Sequence, residues 1–202
     1  MTSGYQAIHD DFLLCLLGYS VITIPDNMTS PLAVRPDPSE YAPYAVEYVS
    51  RVPEGNVIDM LASQIEETEA LVRGLAPGMA DKRYAPGKWS IREIIGHLAD
   101  AERVFSYRAL RFSRGDATPL AGFDENTYVA AAPFTRVGID DLMSELKSLR
   151  GATLHLYRNL DDEALMRHGI ANGIETSVRA LAFITAGHEH HHLEVLRTRY
   201  LS

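Results

Sequence analysis

The sequence predicts an all-α protein: a four-helix bundle with long inter-helix loops and an extended N-terminal arm. Three observations predict it. Four segments carry apolar residues at i, i+3, i+4, i+7 spacing. Helix start and stop signals bracket them. Between them there is no strand-like alternation. Amphipathic helices must bury their apolar stripes against one another, and four of them do so as a bundle.

The first helix begins after Asn56 and places Val57, Ile58, Leu61, Ile65, Leu71, Val72 and Leu75 on one face. Glu66, Glu67 and Glu69 fall largely on the other, and Pro77-Gly78 ends it. The second helix starts at a capping box, Ser90-Ile91-Arg92-Glu93, and runs through Ile94, Ile95, Leu98, Ala101, Phe105, Ala109 and Phe112 to a stop at Gly115. Trp89, just before the box, reads as a packing residue at the helix start. Residues 115–138 form a long loop, and loops of that length inside a domain are often functional. Asp124, Glu125, Asn126 and Tyr128 are candidates to wall a pocket there. The third helix covers about Ile139 to Leu160. A second loop, "DDEALMRHGIANGIET", follows, and Ser177 caps a fourth helix that runs nearly to the C-terminus. With two long connections, simple up-down-up-down wiring is not required.

The bundle is assigned to residues 56–202. Ahead of it, residues 28–55 hold Pro31, Pro36, Pro38, Pro43 and Pro53, a density that excludes a regular helix and predicts an extended arm lying on the body. Tyr41, Tyr44 and Tyr48 are its candidate anchors. Residues 1–27 contain the apolar run "FLLCLLGYSVITI" at 12–24. Asp10 and Asp11 precede it, against a signal peptide, and it is shorter than the about 20 residues a membrane helix needs. A buried element or an oligomer contact would explain the run. A start at Met28, with residues 1–27 a misassigned extension, would explain it as well; an N-terminus upstream of Met28 in protein from the native cell would overturn that reading.

The chain has 202 residues, 46 % hydrophobic and 23 % charged, with a net charge of −8. No basic stripe is present, which argues against nucleic acid as a partner. Cys15 is the sole cysteine, so no internal disulfide and no Cys-x-x-Cys metal pair can form, as suits a reducing cytoplasm. Apolar surface on such bundles and the tyrosine-rich arm predict a homodimer.

Residues 185–196 read "TAGHEHHHLEVL". His188 to His192 spells H-E-x-x-H, the zinc-peptidase motif. Such peptidases take a third ligand downstream, but only ten residues follow His192 and none is Asp, His or Cys. The peptidase reading is therefore set aside. Helical periodicity sorts the histidines differently. With Val178 at zero, the apolar face centres near roughly 310°, and His188 and His192 fall at about 280° and 320°. His190, at about 120°, points away, and His191, at about 220°, lies on the flank. Two neutral imidazoles one turn apart on an apolar face satisfy each other poorly, whereas a divalent metal accepts a lone pair from each. His97 is the best third ligand, at the edge of the second helix's apolar face beside Ala101 and Arg108, although alone it reads equally well as a boundary histidine. His155 falls on the wrong face; His9 and His168 lie in the extension and a loop. Glu189, at about 20°, is a candidate catalytic base or holder of a ligand imidazole, and reads as readily as a surface glutamate. Arg103 or Arg108 could pair with an anionic substrate.

"KWSIREIIGHLADAERVFSYRAL", "GDATPLAGFDENTYV" and "ANGIETSVRALAFITAGHEHHHLEVLRTRYL" together resemble the DinB-like metalloenzyme superfamily over about residues 35–202. The resemblance implies a four-helix bundle binding a divalent metal through one histidine of the second helix and two, four apart, of the last. Carried over, these are His97, His188 and His192, the three that periodicity selects. It also implies low-molecular-weight thiol chemistry, since the superfamily includes bacillithiol transferases and mycothiol-dependent maleylpyruvate isomerases; the thiol would be a cosubstrate. Three nitrogen ligands leave a position open, as catalytic zinc requires and as nickel, iron or manganese also accept. The expected function is a divalent-metal-dependent transferase or hydrolase acting on a small molecule, in the cytoplasm and without a membrane. A non-catalytic metal-binding protein with a stress or sensing role is the alternative.

Overall fold

The computed structural model describes residues 30–202. The apolar run at 12–24 and the expected start at Met28 lie outside the described residues. Within them, the four long helices form where their caps and stripes place them. Helix α2 (Val57–Arg73) starts as the Asn56 side chain accepts from the amide of Ile58 at 2.9 Å. Helix α3 (Ile91–Ser113) has both arms of its capping box: the Ser90 amide donates to Glu93 at 2.6 Å, and the Glu93 amide to Ser90 Oγ at 3.3 Å. Helix α5 spans Ile139–Arg158. Helix α7 (Val178–Val195) is capped by Ser177 and continues into a π-helical turn, Leu196–Tyr200.

Helix α3 packs against α5 and α7, and α2 packs against the same two. The sequence neighbours α2 and α3 therefore lie across a diagonal of the bundle, so its wiring is not up-down-up-down. That diagonal is what makes the site, because it puts α3 directly beside the last helix.

Three expectations need correction. The proline-rich arm is not simply extended. Each of its three 3₁₀ turns, Pro31–Ala33, Pro38–Glu40 and Pro43–Ala45, begins at a proline, whose fixed φ suits a first turn. The proline-free stretch Val46–Arg51 then forms helix α1, which lies along α7. The 115–138 loop contains helix α4 (Glu125–Ala131), capped by the Asp124 carboxylate. The connection after α5 holds a short helix α6 (Asp162–Met166) and a hairpin of β1 (His168–Ala171) and β2 (Ile174–Ser177). The strands pair antiparallel, His168 with Ser177 and Ala171 with Ile174. Asn172 and Gly173 at φ 54° and 76° turn the corner, the left-handed pair that a two-residue hairpin demands. Strands of four residues are too short for alternation to reveal.

The arm is part of the core. Leu32, Tyr41, Ala45, Val49 and Val52 are buried with Val57, Leu61, Phe112, Leu181 and Phe183. A second apolar group, including Ile95, Leu98, Leu142, Leu146 and Leu196, fills the other half of the bundle.

Candidate metal centre

His97 sits in the second turn of α3 and faces His188 and His192 on α7. His97 Nε2 lies 3.0 Å from His188 Nε2, which lies 3.2 Å from His192 Nε2. Metal-ligating atoms of all three fall within 4.8 Å of one another. Nitrogens about 2.05 Å from a tetrahedral ion stand roughly 3.3 Å apart, so the donor set fits one divalent ion. His97 and His188 are buried and His192 is half-buried. Burial holds the His97 imidazole down to about 4, and burial followed by the neighbouring histidines holds His188 and His192 well below the ordinary value. All three are thus neutral near pH 7, each with a lone pair to offer.

Gly187, next to His188, lets the arm come close. A Cβ there would sit 2.0 Å from the Tyr48 carbonyl oxygen. The contact brings the Tyr48 ring edge-on to His188, centroids 5.3 Å apart. Trp89 closes the other side, 4.7 Å from the His97 ring and stacked at 6.3 Å on His192. It is a wall of the site, not merely packing at a helix start. Phe105 meets the His188 ring edge-on at 5.7 Å.

The histidines line a cavity of about 370 Å³ with Tyr44, Tyr48, Trp89, Phe105 and Phe123, together with Arg108, Gly122, Glu125, Asn172 and His191. Of the loop residues expected to wall a pocket, only Glu125 lines it; Asp124 is spent capping α4. Gly122 and Phe123, which carry no periodic signal, do line it. The hairpin places them: the Leu120 amide donates to the Ile170 carbonyl at 2.8 Å, the Leu120 carbonyl accepts from the Asn172 amide at 3.0 Å, and Gly122 packs on Asn172 so closely that a Cβ would fall 2.4 Å from its Oδ1.

Glu189 is buried but is not part of the cavity wall. It points into the bundle, where one oxygen accepts from Arg150 at 2.7 Å and the other from Thr68 at 2.6 Å. Periodicity left it near the inward face and open to reading as a surface glutamate; it is buried, and what it faces is Arg150. Arg103 bridges Glu145 and Asp100 away from the cavity, whereas Arg108 lines it. His191 touches the cavity, with its ring 5.8 Å from Tyr48, but is outside the three-nitrogen cluster. His155 and His168 are exposed; His9 lies outside the described residues.

Among the described residues no helix is long and apolar enough to cross a membrane. Residues 60–196 match the DinB superfamily. The protein named "Putative metal-dependent hydrolase YfiT" of Bacillus subtilis is 26 % identical over 158 residues, which is 76 % of this chain and 86 % of that protein. A relative of Oceanobacillus iheyensis, also named as a "Putative metal-dependent hydrolase", is 28 % identical over 139 residues, 67 % of this chain and 77 % of its own length. The solved structure of the Bacillus subtilis protein, described as having "an unusual four-helix bundle topology", superposes with a TM-score of 0.65 at 18 % identity, covering 85 % of this chain and 97 % of that one.

Proposed function

This chain belongs to the DinB superfamily, and on that premise we propose that it is a metal-dependent enzyme, a hydrolase of a small molecule, in which His97, His188 and His192 hold one divalent ion. The observation that carries the reading is three neutral imidazole nitrogens converging on the wall of a cavity, with no other ligating group among the described residues completing the cluster. Three protein ligands are the catalytic pattern; a closed structural site would use four. When bound, the ion supplies Lewis acidity and lowers the pKa of water or a thiol beside it.

The residues of the chain do the rest. The three imidazoles fix the ion's place. Trp89, Tyr48 and Phe105 pack on those imidazoles and limit water around them. Glu125 is the carboxylate on the cavity wall among the described residues, and is placed to exchange a proton with solvent. Glu189 acts as a support, holding α7 to α5 through Arg150.

Thiol transfer uses the same centre but must seat a thiol and an acceptor together. A cavity of about 370 Å³ is near the lower end for small-molecule pockets, which favours one substrate and hydrolysis. The test has two stages. Metal content of untagged protein, reconstituted with zinc, nickel, iron or manganese, is expected near one ion per chain and near none in His97→Ala. The loaded protein is then offered esters and amides, and separately a thiol with an electrophile. Turnover of the first set alone supports hydrolysis. Turnover only with thiol supports transfer. Full metal content without turnover leaves a binding or sensing protein.

A further inference from the structure

Among the described residues lining the histidine cavity, Arg108 is the one cation, since burial holds the imidazoles there neutral. It is only 6 % exposed. Its guanidinium carries five N–H donors, and among the described residues its one hydrogen bond is from Nη2 to the Ala121 carbonyl at 3.0 Å. The Phe123 ring lies 5.9 Å from its Cζ. Among the described residues no carboxylate pairs with it. A buried charge without a counter-ion is costly, and proteins rarely leave one so. Arg150 shows what this bundle does when a buried arginine is structural: two carboxylates and a carbonyl surround it.

The placement fits a role in binding. His97, Ala101, Phe105 and Arg108 form one stripe of α3 at intervals of four, four and three, with His97 and Arg108 about 16 Å apart along the axis. Helical side chains lean toward the N-terminus, so Arg108 leans toward His97, with Phe105 between them. Arg108 also borders a small apolar side pocket of about 40 Å³ lined by Ala42, Leu181 and Ile184.

We infer that Arg108 recognises a carboxylate on the substrate, so that the site takes a small organic acid with an aromatic or apolar body, anchored by its charged end at Arg108 and presented at its other end to the histidines. One guanidinium without a second cation beside it matches a monoanion; a phosphate dianion would call for more positive charge. Aromatic walls on Tyr48, Phe105 and Phe123 suit the body of such an acid. The burial that pushes the Arg108 guanidinium's pKa down is relieved when an anion pairs with it. The inference rests on the proposed function in placing substrate in this cavity.

The test is made on metal-free protein, so that a carboxylate cannot gain affinity from an ion. 3-Phenylpropionate, 3-phenylpropanamide and 2-phenylethylphosphonate are titrated into wild type, Arg108→Gln and Arg108→Lys by calorimetry or chemical-shift change, with folding checked by circular dichroism. The acid is expected to bind at least about tenfold tighter than the amide, the span of a charge-assisted pair, and tighter than the phosphonate. Arg108→Gln should abolish the preference and Arg108→Lys keep part of it. Equal binding of acid and amide, no binding of either at millimolar concentration, a preference surviving in Arg108→Gln, or tighter binding of the phosphonate overturns the inference. Metal content is measured in parallel. Acid preference without metal loading sinks the proposed function and spares Arg108; normal loading without acid preference does the reverse.

Discussion

His188 and Glu189 are neighbours on α7, yet they enter polar clusters of opposite kinds. Glu189 joins a closed one. Arg150 donates twice to Glu102 at 2.7 Å, once to Glu189 at 2.7 Å and once to the Leu61 carbonyl at 2.7 Å, and Thr68 completes Glu189. Every charged oxygen and nitrogen in it has an internal partner, and Arg150 is 1 % exposed. His188 joins an open one: three imidazoles with converging nitrogens, no carboxylate in contact among the described residues, and a cavity before them. A helix turns by about 100° per residue, so one step along α7 separates a cluster that holds the bundle from one free to hold something else. Burial alone does not distinguish function from architecture here. What distinguishes them is whether the valences close within the protein.

The largest effect should come from opening the closed cluster. Arg150→Met leaves Glu102 and Glu189 buried and unpaired, a loss of about 3–5 kcal/mol in urea denaturation of metal-free protein. His188→Ala, one residue from Glu189, should do the opposite. Metal content falls from near one ion per chain to near none, while metal-free stability changes by less than roughly 1.5 kcal/mol, because the removed ring borders a cavity. If His188→Ala costs metal-free protein as much as Arg150→Met does, the histidine cluster is architectural and the contrast fails.

A smaller effect tests another ionic contact, between the arm and the start of α7. Burial would raise the Glu40 carboxyl, but the Arg179 guanidinium, the Asp37 amide and the Ser177 hydroxyl outweigh it and hold it at about 2. The folded value is thus below the ordinary 4.5, so the unfolded chain binds the proton more readily. The contact's contribution is complete above pH 4.5 and is lost as pH falls toward about 2. Glu40→Gln should flatten the acid limb of stability in that window and leave metal content at pH 7 unchanged. An acid limb as steep as in wild type would show that Glu40 does not tie the arm down.

Both clusters were partly legible in the sequence. His188 and His192 emerge from helical period, because residues at i and i+4 share a face; His97, at the edge of another face, read equally as a boundary histidine until the family resemblance joined it to them. Arg150 was equally legible, four residues after Leu146 and seven after Met143 on the apolar stripe of α5, and pairing it with an inward Glu189 would have separated that glutamate from the metal centre. The hairpin's signal was Asn172-Gly173. Trp89, Gly122 and Phe123 were not legible as site residues. They lie outside long helices, so no period orients them, and their places depend on the hairpin and on α3 meeting α7 across the bundle. The diagonal placement of α2 and α3 is likewise a property of packing, invisible to any one helix.

The smallest effects concern the two histidines between the proposed ligands. His190 is half-buried and has no place in the cavity wall; His190→Ala should change neither metal content nor ligand binding. His191 is more informative because it lines the cavity without entering the cluster. His191→Ala should leave metal content near one ion per chain yet alter acid binding by a few-fold, through the lost edge contact with Tyr48. Loss of metal on His191→Ala would bring His191 into the centre, as an i, i+3 partner of His188 in place of the i, i+4 pair with His192. Keeping the metal while acid binding changes would place the boundary between ion and substrate within a single turn of α7.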